Sequence, residues 1–131
     1  MTDSDLVRIA TELAGSFRVS GTCSAGGVAS ALVTRAGNVY TGICIDTECS
    51  LGFCAEHAAV AEMLKARESE IVTIVAVSDV GGILPPCGRC RELLWQVGSQ
   101  GAGTRVIVSP SEVRTLVELL PQPGERRHAD P

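Results

Sequence analysis

The segment IVTIVAVS at positions 71–78 constrains the fold more than any other part of the chain. Its residues are β-branched or apolar almost without interruption. This pattern is typical of a strand that is covered on both faces, because a strand with one face in water alternates apolar and polar residues. A sheet with both faces covered needs helices on each side. The segment therefore predicts an α/β protein.

The rest of the chain supplies the other elements of such a fold. We predict helices over 5–14, 54–66 and 87–97, and strands over 28–34, 39–45, 71–78 and 105–109. Ser4 is the predicted N-cap of the first helix, and residues 111–120 fit either a helix or a short strand followed by a turn of helix. We expect a single mixed sheet with helices on both faces. It forms one domain over 1–131, with its core at about 5–121 and an irregular tail at 122–131.

The chain is rich in cysteine for its length. Its six cysteines are Cys23, Cys44, Cys49, Cys54, Cys87 and Cys90. The N-terminus is polar and acidic and has no secretory signal pattern, and no apolar run reaches membrane-spanning length. We therefore expect a cytoplasmic, reducing setting, in which clustered cysteines serve metal binding or catalysis more often than disulfides.

Three of these cysteines form a pattern that suits a zinc ion. Cys54 begins one predicted helix, and Cys87 and Cys90 lie in the first turn of another, where positions i and i+3 share a face. Three protein ligands leave the fourth tetrahedral position of zinc open for water, which distinguishes a catalytic zinc from a structural one. The pattern therefore indicates a catalytic zinc site.

Glu56, two residues after Cys54, is the predicted catalytic residue. A carboxylate beside the metal can take a proton from a zinc-bound water and deliver it to a ring nitrogen and a leaving ammonia. The negative charge of three thiolates needs to be offset. The candidates are the free N–H groups at the two helix starts and the side chains of Arg89, Arg91 and His57.

Two other interpretations of the cysteines remain open. A structural zinc site would need a fourth protein ligand, which Cys44, Cys49 or His57 could supply. A C-x-x-C motif alone is also compatible with a thiol redox pair.

Several segments resemble the cytidine deaminase superfamily, in particular its small members with three zinc-binding cysteines. The likeness covers roughly residues 17–121. Within it, 28–32 and 82–91 look especially like blasticidin S deaminases, and Gly42 and 118–121 look like either branch. The resemblance implies a three-layer α/β/α sandwich around a mixed five-stranded sheet. It also implies one Zn²⁺ per subunit and a homotetramer (or dimer) with sites near subunit interfaces.

The function that the resemblance implies is hydrolytic deamination of a cytosine-type amino-heterocycle, such as cytidine or deoxycytidine, with release of ammonia. Blasticidin S or another amino-heterocycle is the alternative substrate. The backbone near Ala55 is expected to help position the ring. A free small molecule is favoured over a polynucleotide, because the net charge is −4 and only 3% of residues are aromatic.

The positions that grip the substrate depart from both branches. The Asn-x-Glu that holds the ribose in cytidine deaminases is replaced by Cys44 and Asp46, of which Asp46 can still accept a hydrogen bond from a hydroxyl. Gly26 stands at the position of the aromatic residue that stacks on the base, and His57 replaces the Arg that pairs with the zinc thiolates. Gly81 replaces the Arg of the blasticidin branch. The catalytic residues match the family, whereas the residues that select the substrate do not.

Overall fold

The computed structural model describes residues 1–98 and 103–124. The elements, in chain order, are α1 (Asp3–Leu13), β1 (Phe17–Ser20), β2 (Cys23–Thr34), β3 (Val39–Thr47), α2 (Ala55–Lys65), β4 (Ile71–Ser78), β5 (Gly82–Leu84), α3 (Gly88–Val97), β6 (Arg105–Ser109), β7 (Glu112–Thr115) and α4 (Leu116–Leu119). A short 3₁₀ turn, Glu48–Ser50, follows β3. Of the predicted tail, residues 122–124 lie in no helix or strand, and 125–131 lie outside the described residues.

The predicted β4 and β6 are confirmed at both ends, and α2 and α3 begin one residue after their predicted starts. The predicted N-cap Ser4 is wrong. Thr2 caps α1 instead, because its hydroxyl accepts from the N–H of Asp5 while the Asp5 carboxylate accepts from the N–H of Thr2. This reciprocal capping box satisfies two backbone donors at once, and Ser4, the second residue of α1, already lies inside the helix. For residues 111–120, the alternative of a short strand followed by a turn of helix is confirmed.

Within residues 1–98 and 103–124, seven strands form one mixed sheet. Five of them lie side by side in the order β3-β2-β4-β6-β7, and β4 and β6 are parallel. The short strands β1 and β5 pair with the beginning of β2 and the end of β4. The expected sheet of five strands therefore has two additional short strands, β1 and β5. The mixed α/β architecture is confirmed.

Two hydrophobic cores lie on opposite faces of the sheet. Neighbouring residues of one strand belong to different cores, as Ile74 and Val75 of β4 do, because successive side chains point to opposite faces. One core packs against Leu6 and Ala10 of α1, and the other against α2, α3 and α4. The sheet is therefore covered on both sides, as the continuous apolar run of β4 predicted.

The packing of α2 on β3 is unusually close at Gly42. A methyl group at this position would overlap the backbone nitrogen of Ala59 and lie 2.7 Å from the carbonyl oxygen of Ala55. Glycine thus allows the first turn of α2 to rest directly on β3.

None of the helices in the described ranges has the length and apolar character that a membrane crossing requires.

Candidate active site

The starts of α2 and α3 meet at one point and bring three thiols together. Cys54 is the N-cap of α2, Cys87 is the N-cap of α3, and Cys90 lies in the first turn of α3. The Sγ atoms of Cys54 and Cys87 are 3.5 Å apart, as are those of Cys87 and Cys90, and all three sulfurs lie within 4.8 Å of one another. Residues 33 apart in the chain thus converge through the placement of two helix N-termini.

This sulfur cluster fits a zinc ion. Zinc with Zn–S bonds of about 2.3 Å places tetrahedral sulfurs about 3.8 Å apart, close to the observed separations. Among the described residues, these three cysteines are the only group of His, Cys, Asp or Glu side chains whose ligand atoms converge in this way. Neither Cys44 nor Cys49 nor His57 belongs to the group, so the arrangement favours a site with three protein ligands over a closed structural one.

Glu56 is buried beside the cluster in the first turn of α2, with 5% of its surface exposed. Burial raises the pKa of its carboxyl group, and hydrogen bonds from its own backbone N–H and from Cys90 partly oppose this shift. Burial, followed by the negative charge of Glu56, also raises the pKa of the Cys90 thiol. The carboxyl group and the sulfurs are therefore close enough to influence one another's protonation.

The backbone N–H groups at the start of α3 lower the pKa of the Cys87 thiol, as expected from the sequence. Burial tends to raise the pKa of the Cys87 thiol, but hydrogen bonds from the backbone N–H of Cys90 and Arg89 and from the other two thiols outweigh it, so its pKa is lowered. At Cys54 burial dominates, and the pKa of that thiol is raised. The expected stabilisation of thiolate by helix N–H groups is thus confined to one of the two helix starts.

The three basic residues that were candidates to offset the thiolates have different surroundings. Arg91 donates hydrogen bonds to the carbonyl oxygens of Pro86 and Leu119 and so joins the start of α3 to α4. Burial and the neighbouring charge of Arg89 lower the pKa of His57, which favours a neutral imidazole. The Nε2 atom of His57 is buried and has no hydrogen-bond partner among the described residues.

The cluster opens into a cavity of about 630 Å³, large enough for a small organic molecule. The predicted substrate-contact residues Ala55, Cys44 and Asp46 all line it, as do Glu56 and the guanidinium-bearing Arg89. Ala55 is fully buried, Cys44 is 6% exposed, and Asp46 is exposed. The elements that bring these residues together are the end of β3, the starts of α2 and α3, and the end of β4.

Cys44 and Asp46 are joined to each other. The Cys44 thiol donates a hydrogen bond to a carboxylate oxygen of Asp46 at 3.5 Å, and its sulfur accepts one from the N–H of Val28 at 3.3 Å.

Gly26 does not line the cavity. It has a φ of +84°, and a side chain there would lie 2.5 Å from the carbonyl oxygen of Gly15. The backbone at this position therefore excludes the aromatic residue that the resemblance would place there.

Three further residues line the cavity, Thr47, Phe53 and Asp79. Sequence reasoning did not single out Thr47 or Asp79, whereas it offered two positions for Phe53, in the pocket wall or packed under the helix that Cys54 begins. Phe53 reaches the cavity because its backbone pairs with Ile45 through two hydrogen bonds of 3.0 Å, which hold the loop before Cys54 against β3. Asp79 follows the last residue of β4 and accepts a hydrogen bond from the N–H of Ser16 at 2.9 Å. A carboxylate directly after a buried strand was the available signal for Asp79, because such positions lie at the edge of the sheet.

Comparison with known proteins agrees with this geometry. The family model described as the cytidine and deoxycytidylate deaminase zinc-binding region matches residues 1–105. A cytidine deaminase from Mycobacterium tuberculosis is 32% identical over 108 residues, which cover 76% of this chain and 79% of that protein.

Solved structures give the same result. A mutant form of the cytidine deaminase from M. tuberculosis is similar with a TM-score of 0.81 and 28% identity, over 95% of this chain and 99% of that one. The cytidine deaminase from Mycobacterium leprae is similar with a TM-score of 0.76 and 27% identity, over 93% and 100% of the two chains. The chain therefore belongs to the cytidine and deoxycytidylate deaminase zinc-binding family, a family of hydrolytic C–N deaminases.

Proposed function

We propose that this enzyme removes the exocyclic amine of a cytosine-type ring in a small nucleoside or base, with release of ammonia. The observation that carries the proposal is the position of Glu56. This buried carboxyl group lies beside three converging sulfurs at the wall of a cavity of about 630 Å³. A hydrolytic deaminase needs these parts together: a metal site, a proton-transferring group and room for the ring.

Glu56 serves as general acid and base in this proposal. Burial raises the pKa of its carboxyl group above the ordinary value, which suits a group that must both accept and donate a proton. It takes a proton from water and delivers it to the ring nitrogen and then to the departing amine. Because its side chain is enclosed, the proton passes between reacting groups instead of exchanging with bulk solvent.

Cys54, Cys87 and Cys90 would hold one Zn²⁺ per subunit through their Sγ atoms. When bound, zinc supplies Lewis acidity that lowers the pKa of a coordinated water to about 7. The backbone N–H groups at the start of α3, which lower the pKa of Cys87, help to keep that sulfur as the thiolate.

The remaining walls would orient the substrate. The backbone at Ala55, fixed by the close packing of α2 on Gly42, lies where it can bind the ring edge. Asp46 accepts a hydrogen bond from a sugar hydroxyl, and Cys44 contributes by holding the Asp46 carboxylate in place. This division of roles suits a nucleoside such as cytidine or deoxycytidine.

We further propose that the enzyme acts in the cytoplasm, in pyrimidine salvage, as a homotetramer or dimer. Support for assembly comes from large apolar side chains that are exposed in the single chain, such as Leu51 (80% exposed), Val80 (92%) and Val19 (57%). Contact with another subunit would remove such side chains from water. Sedimentation analysis of the zinc-loaded protein tests this part of the proposal, and a monomer at all concentrations would contradict it.

An ammonia-release assay over a panel of amino-heterocycles tests the activity. The panel contains cytidine, deoxycytidine, cytosine, blasticidin S and guanine, each with fully zinc-loaded protein. We expect release from cytidine or deoxycytidine. Release from blasticidin S alone would assign the alternative substrate, and no release from any compound would leave a non-catalytic zinc-stabilised domain as the better interpretation.

A further inference from the structure

Among the cavity-lining residues of the described ranges, Phe53 is the one aromatic side chain. The other large apolar side chains of the wall are aliphatic, namely those of Val28, Ile45 and Leu84. An aliphatic surface can enclose a ring of any shape, whereas an aromatic face packs best against another planar ring in an offset stack. Phe53 is therefore the wall residue best suited to recognise a planar heterocycle.

The backbone at Phe53 is held in place on both sides. Its N–H and C=O groups form two hydrogen bonds of 3.0 Å with the backbone of Ile45 in β3, and the next residue, Cys54, is the N-cap of α2. Gly52 permits this close approach, because a methyl group there would overlap the carbonyl group of Ile45. The ring of Phe53 is thus carried by a fixed backbone directly before the first residue of the sulfur cluster.

The side chain of Phe53 is only partly covered by the protein. Its ring stacks on the imidazole of His57, with centroids 6.2 Å apart and an interplanar angle of 14°. This contact supports the ring, yet 36% of the residue remains exposed. A phenylalanine that served only to pack under α2 would be buried, because exposed apolar surface is unfavourable in water. The exposed part of Phe53 is available to a ligand in the cavity.

We propose that Phe53 is a specificity-determining residue whose ring packs against the planar heterocycle of the substrate. Because Phe53, Cys54 and Glu56 line the same cavity, a ring that rests on Phe53 lies beside the reacting groups. The identity of this heterocycle as the ring that loses its amine rests on the proposed function, but the preference of the cavity for a planar ring does not.

Equilibrium binding to the zinc-loaded protein, measured by calorimetry, tests this preference. Uridine and 5,6-dihydrouridine are the probes, because they share the sugar and the hydrogen-bonding groups of the ring, while saturation makes the ring of the second compound non-planar. Neither carries an exocyclic amine, so no ammonia is released during the titration. We expect uridine to bind about fivefold tighter, the equivalent of roughly 1 kcal/mol from one stacked pair.

Substitution of Phe53 separates stacking from simple apolar contact. Phe53→Leu keeps an apolar side chain but removes the aromatic face, so the two nucleosides should then bind equally. Phe53→Tyr keeps the face and should retain the wild-type ratio of the two dissociation constants. Phe17→Leu is the matched control and should also retain it, because Phe17 is 51% exposed on β1 and does not line the cavity.

Three results of the titrations would overturn this role of Phe53. They are equal binding of the two nucleosides by the wild type, no measurable binding of either, and the same ratio in Phe53→Leu as in the wild type. Sedimentation analysis of Phe53→Leu covers the case in which a second subunit lies over the ring. Loss of assembly with an unchanged ratio would assign Phe53 to an interface and overturn its contact with substrate.

The two proposals fail in different ways. Ammonia release from cytidine together with equal binding of uridine and dihydrouridine would overturn the role of Phe53 and leave the deamination standing. A preference for uridine that is lost in Phe53→Leu, with no ammonia release from any compound, would support the role of Phe53 and contradict the deamination.

Discussion

The thiol of Cys44 bridges the backbone N–H of Val28 and the carboxylate of Asp46, at 3.3 Å and 3.5 Å. The bridge joins β2 to the end of β3 and sets the direction in which the Asp46 carboxylate faces the cavity. We therefore propose that this buried thiol influences substrate binding through its neighbour Asp46.

Replacement of Cys44 tests this positioning role. We expect Cys44→Ala to raise the KM for the nucleoside about fivefold, the effect of losing one hydrogen bond of about 1 kcal/mol, with little change in kcat. Cys44→Ser should restore KM, since a hydroxyl can donate and accept in the same way. Steady-state kinetics on the three proteins measures this, and a Ser variant as impaired as the Ala variant would contradict it.

Glu56→Gln should abolish most of the turnover while zinc stays bound. General acid–base catalysis contributes about 10²–10⁴-fold, so a loss of that size is expected, and the amide keeps the volume of the buried side chain. Ammonia release and zinc content are measured on the same preparation. Glu62→Gln, an exposed position of α2, is the control and should keep full activity. Wild-type turnover in Glu56→Gln would remove this residue from the mechanism.

Removal of zinc should lower stability as well as activity. The sulfurs of Cys54 and Cys87 belong to residues 33 apart, so an ion between them crosslinks α2 to α3 in the folded state. A ligand present at about 1,000 times its Kd stabilises a protein by about 4 kcal/mol, which corresponds to roughly 15 °C in Tm for a chain of this size. Scanning calorimetry with and without chelator measures the change, and added Zn²⁺ should restore it. An unchanged Tm would place the metal outside the folded core.

Gly42→Ala should destabilise the protein by about 1–3 kcal/mol, because a methyl group at this position overlaps the backbone of α2. Urea unfolding measures the effect. Gly15→Ala is the matched control, because a methyl group there meets no atom within 4 Å. Equal unfolding midpoints for the two variants would show that α2 can move away from β3 at little cost.

The pH dependence of stability should reveal the contact between α1 and β6. Arg105 donates hydrogen bonds of 2.7 and 2.8 Å to the carboxylate of Asp3, which lowers the pKa of that carboxyl group. A lowered pKa means that the contribution is present above the unfolded pKa of about 3.9 and is lost as pH falls through the folded value. Because both side chains are 42% exposed, the contribution is less than about 1 kcal/mol.

Asp3→Asn should therefore be less stable than the wild type at neutral pH, and the difference should disappear near pH 3. Urea titrations at the two pH values measure this. Glu12→Gln, which removes a looser pair with Arg8 at 3.5 Å, should have a smaller effect at either pH. A constant deficit of Asp3→Asn at both pH values would assign the effect to helix packing instead.

The buried elements were predictable from the sequence, and the exposed ones were not. The strand β4 has a continuous apolar pattern, and its predicted limits agree with the structure at both ends. The strand β1 is exposed at all four residues, so no hydrophobic alternation marks it. The first residues of β2 were missed because Gly26 and Gly27 weaken the strand signal where the register shifts.

In the candidate site, too, some positions were predictable from the sequence and others were not. The three cysteines converge because each lies at a helix start, and helix starts can be predicted from local sequence. The position of Phe53 in the cavity wall depends on a loop that pairs with β3, and the distinct roles of Arg89 and Arg91 depend on the direction of α3. These are consequences of tertiary packing, which no local pattern records.

The two sides of the cavity differ in how freely they can diverge between related proteins. On one side, the contact between Gly42 and α2 leaves no space for even a methyl group, so a larger residue at position 42 would have to displace the start of α2. On the other side, Glu48–Ser50 form an exposed turn in which Cys49 and Ser50 adopt positive φ. Ser50 of this turn lines the cavity, so we expect substitutions there to change what the cavity admits without moving the sulfurs. We therefore expect the choice of substrate in such an enzyme to change through surface residues while the reaction is preserved.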